Sequence, residues 1–254
     1  MRSQNGFTLV ELSIVILIMG LILGGLAMPL STQLENGRIR ETKELLSSTE
    51  AAIEGYALVN GFLPCPATPG SNGLSATLGG ACVVQHGFVP ASTLGLAGPR
   101  NDDNLMLDSW ASPIRYSVTA SDVDGDGNWD FIAPGEMRNV TMALLTPDLA
   151  VCSTGTGSSA NSCSGPATTL TNSAPSVVYS MGKDWGSFTS ADQLENVGAT
   201  IGGGPTGTNY RVAADLVSVS RRRSERPGNE FDDLVSWTAA SSLYRRMVAG
   251  GQLP

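Results

Sequence analysis

Hydrophobic and polar positions along the chain change their rhythm three times. From Phe7 to Leu30 only Thr8, Glu11 and Ser13 are clearly polar. At about 1.5 Å per residue such a run is long enough to cross a hydrocarbon core of roughly 30 Å. After Pro29 the chain becomes mixed, and Ile39, Thr42, Leu46, Thr49, Ile53 and Tyr56 recur at spacings of three and four. That is one face of a helix, with Glu41, Lys43, Glu44, Glu50 and Glu54 mainly off it. Asn60-Gly61 and then Pro64 supply a stop. The pattern predicts one long helix from Phe7 to about Asn60, apolar in its first half and amphipathic in its second, with Pro29 as the candidate kink.

From Leu63 onward turn residues punctuate short runs. Ile114–Ala120, Val140–Thr146, Ser176–Gly182 and Asp215–Arg221 are the strand candidates. The segment STGTGSSANSCSGPATTLTNSAPS is low in complexity and reads as an exposed loop, as does IGGGPTGTN. A short helix is expected from about Ser236 to Val248, ended by Gly250-Gly251. The fold class is α+β. A long helical stem carries a small antiparallel β-sheet head with long loops.

Composition adds limits. The chain has 254 residues, 15% of them charged, with 30 glycines, a net charge of -8 and a pI near 4.6. An acidic chain has no electrostatic reason to bind nucleic acid. The one basic run, Arg221–Arg223, has Glu225 nearby and reads as a solvated loop. One histidine, His86, and no G-x-S-x-G, P-loop or H-E-x-x-H pattern speak against an enzyme.

Glu11 stands out. A charged group in a membrane segment costs a few kcal/mol and marks a functional position unless it reaches the interface. The apolar segment contains no cation to pair with it, so a partner has to come from elsewhere. Only MRSQNG precedes the run, and the run is longer than the core of a cleaved secretory signal. Arg2 favours a cytoplasmic N-terminus, whereas Arg38, Arg40 and Lys43 argue weakly the other way.

The stretch GFTLVELSIVILIMG closely resembles the class III signal of type IV pilins and type II secretion pseudopilins. The resemblance implies cutting by a prepilin peptidase between Gly6 and Phe7, and methylation of Phe7. It implies that Glu11, fifth after the cut, pairs with the N-terminal amine of an adjacent subunit during assembly. The organisation it suggests is a leader at 1–6, a transmembrane and filament-core helix at 7–30, an amphipathic stem at 31–61 and a periplasmic head at 62–254. The implied partners are copies of the chain or other pilins, the peptidase, an inner-membrane assembly platform and the membrane itself. The implied place is the bacterial inner membrane, single-pass with the head periplasmic, and then a filament. Gly20, Gly24, Gly25 and Pro29 fit such a segment, since small residues let helices approach closely in lipid.

Three pieces of the head resemble the major type II pseudopilin. They are DSWASPIRY (Asp108–Tyr116, with Ala111 where that family has glycine), YSMGKD (Tyr179–Asp184) and DDLVSW (Asp232–Trp237). That family binds calcium in a C-terminal loop. The matching positions are Asp184, Asp232 and Asp233, here separated by a long glycine-rich insertion. The competing expectation is an acidic cap at the start of the terminal helix.

A second acidic segment follows from the residues alone. DVDGDGNWD places Asp122, Asp124 and Asp126 at positions one, three and five of a calcium loop, with Gly127 at the turn. Asn128 can offer a carbonyl and Asp130 a further ligand through water. The twelfth position is Ala133, and Glu136 lies out of register. The alternative is an acidic turn between strands. Four cysteines, Cys65, Cys82, Cys152 and Cys163, allow three disulfide pairings in an exported head. Cys65–Cys82 and Cys152–Cys163 close the shortest loops. Zinc is disfavoured, because no C-x-x-C pair exists and only His86 is available.

The sequence therefore reads as a pilin-like structural subunit, minor or accessory by its size, with calcium as its candidate cofactor. A DNA- or ligand-binding minor pilin and a signal-anchored exported enzyme are the competing readings.

Overall fold

The computed structural model describes residues 6, 8–188, 190–198 and 215–253, and for 23–30 the backbone alone. The chain divides into two compact units, Met1–Glu41 and Thr42–Pro254. The first helix, α1, runs as one element over Leu9–Asn60, and Pro29 does not interrupt it. Its stop is the predicted one: Gly61 takes a positive φ of 84°, which glycine adopts at little cost.

Within the second unit the predicted stripe turns inward. Thr42, Leu46, Thr49 and Ile53 are buried, Ala57 continues the row, and Tyr56 is half-buried. Leu46, Ile53 and Ala57 pack with Ile114, Tyr116, Phe131, Leu243 and Met247 in the main core. Glu54 lies at the edge of this face and forms an ion pair with Arg246, 3.1 Å away.

Among its described residues the head contains three small sheets. Strands β1 (Thr77–Leu78) and β2 (Ala81–Cys82) form a short hairpin. The main sheet has the order β3 (His86–Phe88), β4 (Arg115–Val118), β7 (Ser176–Ser180), β9 (Leu234–Trp237), antiparallel throughout. The third has the order β6 (Thr169–Ala174), β5 (Leu149–Cys152), β8 (Val217–Val219). Its described residues also form the helices α2 (Glu136–Asn139), α3 (Ala191–Val197) and α4 (Ala240–Ala249).

Several expectations are corrected here. The head is not purely antiparallel, because β5 and β8 pair in parallel. Val140–Thr146 is not a strand. Val140 is buried while Met142 and Leu144 are exposed, so no period of two exists, and a turn closes from Leu144 N–H to Thr141 C=O at 2.8 Å. The low-complexity segment is not all loop: its TTLTNSA portion holds β6, whose threonines suit a half-buried strand against β5. The terminal helix starts at Ala240 rather than near Ser236, since Ser236 and Trp237 complete β9. The loop IGGGPTGTN lies outside the described residues.

Of the three possible cysteine pairings, the structure shows the two short ones, Cys65–Cys82 and Cys152–Cys163. Each contributes about 2–4 kcal/mol, largely by restricting the unfolded chain. The second joins β5 to the approach to β6 across an 11-residue separation.

Candidate functional sites: a capped signal and two acidic clusters

Thr8 and Glu11 close the start of α1 on each other. The Glu11 N–H donates to Thr8 Oγ1 at 3.3 Å. Glu11 Oε2 accepts from the Thr8 N–H and hydroxyl, both at 2.9 Å. This is the reciprocal capping box of T-x-x-E, in which two otherwise unpaired helix N–H groups find side-chain oxygens. Glu11 thus has a partner inside its own segment, a neutral hydrogen-bond donor rather than a cation. Gly6 is exposed and Phe7 lies outside the described residues. Beyond Glu11 the helix is greasy on every side. Leu12, Ile14, Val15, Ile16, Leu17, Ile18, Met19, Leu21 and Ile22 are all exposed. Among the described residues no helix is long and apolar enough to cross a membrane. The part with described side chains, up to Ile22, rises about 20 Å, and the remainder of the expected 7–30 span falls on side chains outside the described residues.

The first acidic cluster sits where β7 ends and β9 begins. Ser180 pairs with Leu234 across the two strands. The turn after β7 and the Asp232-Asp233 step before β9 are therefore neighbours. Asp184, Asp232 and Asp233 offer carboxylate oxygens all within 4.8 Å of one another. Gly182 makes this approach possible. Its φ is 65°, and a Cβ there would collide with the Asp232 carboxyl and backbone. Asp232 Oδ2 accepts from the Lys183 N–H at 2.7 Å.

Helix α3, in a segment read from sequence only as a long insertion, supplies two more residues. Gln193 Nε2 donates to both oxygens of Asp184, at 2.9 Å each, and to Asp232 Oδ1 at 3.1 Å. Asn196 Nδ2 donates to Asp233 Oδ2 at 2.6 Å, while its amide also bridges the Val219 backbone in both directions. Ser190 caps α3 by accepting from the Gln193 N–H. An ion pair between Asp192 and Arg221 fixes the helix, with Arg221 lying over the Phe231 ring at 4.6 Å. The basic run is thus not wholly solvated. No sequence pattern announced Gln193 or Asn196, because their role depends on a helix docking across strands distant in sequence.

Burial, then the hydrogen bond and negative charge of Asp184, push the Asp232 carboxyl up to about 7. Burial raises Asp233 well above the ordinary carboxylate range, against the hydrogen bond from Asn196. Asp233 is 4% exposed, and its Oδ1 has no hydrogen-bond partner. Three buried or half-buried acids with hard oxygen donors and one unpaired oxygen are a donor set that suits a divalent cation of the calcium class. The expectation of an acidic helix cap does not apply, since Asp232 and Asp233 precede a strand.

The second cluster is the Asp122–Asp130 loop. Asp122 accepts from the Gly125 N–H at 2.8 Å and the Gly127 N–H at 3.0 Å, and Asp126 from the Asn128 N–H at 2.7 Å. Asp122, Asp124 and Asp130 form one close group. Asp124, Asp126 and Glu136 form another, so α2 brings back the glutamate that linear numbering left out of register. His86, read as structural, is buried in β3 with Nδ1 2.7 Å from Ser117 Oγ.

Residues 1–27 match the family model of the prokaryotic N-terminal methylation motif, the prepilin signal of type IV pilins and pseudopilins. This motif supports a pilin-like, envelope-associated subunit that is processed by prepilin peptidase and assembles with other pilins. The proteins that carry it are structural rather than catalytic. No curated protein and no solved structure matches the chain.

Proposed function

We propose that the chain is a minor or accessory subunit of a type II secretion pseudopilus or a type IV pilus. It is inserted in the inner membrane with its head in the periplasm, cut between Gly6 and Phe7, and drawn into a filament by an assembly platform. The observation that carries the reading is the signal itself: the methylation motif at 1–27 opens a helix whose apolar side chains are exposed on all sides up to Ile22. Such a surface calls for lipid or neighbouring helices.

Glu11 has a role in each state. In the precursor it caps its own helix through Thr8. In the filament the new amine of a neighbour's Phe7 compensates its charge, and a carboxylate among apolar side chains becomes tolerable.

In the head, Asp184, Asp232 and Asp233 hold a calcium ion that closes the turn after β7 onto the start of β9. The unpaired, buried Oδ1 of Asp233 supports this. The bound ion neutralises three converging carboxylates and stabilises the native loop.

Mass spectrometry of the membrane-associated protein tests the reading. The expected chain begins at N-methylated Phe7. A mature protein that keeps its first six residues overturns it.

A further inference from the structure

We propose that the loop from Asp122 to Glu136 is a second divalent-cation site of the calcium class, in which Glu136 supplies the carboxylate that position 133 lacks. The inference concerns the head alone and does not depend on filament assembly or on the Asp184 cluster.

Three observations carry it. Asp130 is fully buried, its Oδ2 is held by the Val123 N–H at 3.1 Å and the Ser121 hydroxyl at 3.4 Å, and its Oδ1 has no hydrogen-bond partner. A buried carboxylate oxygen without a donor is costly. Here it belongs to a group whose oxygens lie within 4.8 Å of those of Asp122 and Asp124. Next, Asp124 belongs to both close groups, the second being Asp124, Asp126 and Glu136, so an ion held on Asp124 has Glu136 within reach. Finally, none of these five carboxylates is in an ion pair among the described residues. Arg138, the nearest arginine in sequence, instead donates to the Gln252 and Gly251 carbonyls at 2.6 Å.

The loop geometry explains why Glu136 replaces the usual last ligand. Gly125 and Gly127 take φ of 74° and 89°, which wraps the chain around Asp122. Phe131, Ile132 and Met137 are buried in the main core, which fixes the path between Asp130 and α2. Ala133-Pro134-Gly135 then turns the chain, and the first residue of α2 returns to the loop. The oxygens of Asp122 that accept backbone N–H groups keep a second lone pair for an ion. Calcium accepts six to eight oxygens in irregular geometry and suits such a set better than magnesium, which demands an octahedron.

The test uses the full-length chain in detergent with Asp232→Asn and Asp233→Asn, which silence the other cluster. Calorimetric titration with calcium is expected to show one saturable site, with Kd about 0.1–1 mM, the range of extracellular modules. Terbium in place of calcium is expected to luminesce on excitation of Trp129, which adjoins Asp130 in the loop. Asp124→Asn and Glu136→Gln are each expected to weaken calcium at least about tenfold, since affinity follows ligand charge. Asp124 is exposed, so its variant does not threaten the fold. Should the double-asparagine background fail to fold, the Asp124→Asn variant of the otherwise unaltered chain is expected to bind one ion fewer than the unaltered chain. Absence of saturable binding up to about 10 mM, well above the weakest sites of this class, overturns the proposal. Undiminished affinity in Glu136→Gln removes Glu136 from the site and overturns it equally.

Discussion

The start of α1 and the head meet their physical needs in opposite ways. Up to Ile22 the helix satisfies its polar groups locally, through the Thr8–Glu11 box, and leaves its apolar surface uncovered. The head does the reverse. It buries its apolar side chains against one another and leaves a few carboxylate oxygens, Glu50 Oε1, Asp130 Oδ1 and Asp233 Oδ1, without donors. The difference teaches what each region leaves unsatisfied: the helix its apolar side chains, the head a few buried carboxylate oxygens.

The largest effect is expected from Glu11→Gln. Glutamine still serves a capping box, so the helix and its insertion persist while the charge is gone. Incorporation into filaments, followed by immunoblot of sheared fibres, is expected to fall at least about tenfold, because breaking a buried ion pair costs about 3–5 kcal/mol. Unchanged incorporation removes charge pairing from the account.

Next comes a matched pair on the same helix. Ile53 is fully buried and Ile16 is 63% exposed. Ile53→Ala is expected to lower the stability of the head by about 2–5 kcal/mol in denaturant melts. Ile16→Ala is expected to leave that melt unchanged and to affect only the filament. A comparable loss from both would dissolve the distinction between the two regions.

A smaller effect concerns the Asp184 cluster. Without divalent cations, folded Asp232 holds its proton up to about pH 7, whereas the unfolded chain releases it near the ordinary value of about 4. Over that window the native state binds more protons, so stability falls as pH rises. The melting temperature in EDTA is expected to drop between about pH 5 and about pH 8. Calcium is expected to raise the upper end most, by about 2.7 kcal/mol at a hundred times its Kd. A melt that ignores both pH and millimolar calcium refutes the proposed ion at this cluster.

The smallest effect is at Ala111, which takes a φ of 62° in the turn after Asp108. Asp108 holds the turn, its Oδ1 accepting from the Trp110 and Ser112 N–H groups at 2.9 Å. An L-residue in the left-handed region pays about 1–2 kcal/mol. Ala111→Gly is therefore expected to stabilise the head by about 1 kcal/mol, less the added freedom of glycine when unfolded.

Legibility followed the range of the interactions. The stem stripe was readable because helical spacing is local, and Thr42, Leu46, Thr49 and Ile53 are indeed buried. The T-x-x-E box is equally local, being complete within Thr8–Glu11. Loop 122–130 was visible as a repeat of aspartates, whereas Glu136 was visible only as a residue out of register, since its return depends on α2. The strand expected at Val140–Thr146 did not form because its apolar residues do not alternate between a buried and an exposed face. β6 was missed for the opposite reason, as a biased composition masked a Thr-Leu-Thr alternation.

By itself the sequence determined the signal at 1–27, the long helix with its stop at Gly61 and the face it buries, because each depends on neighbours within a turn or two of chain. Tertiary structure alone decided the parallel β5–β8 pair, the placing of Gln193 and Asn196 over Asp232 and Asp233, and the recruitment of Glu136. Those contacts join segments far apart in the chain. Their free energy arises only once the intervening loops are closed and packed, and residue order does not encode it locally.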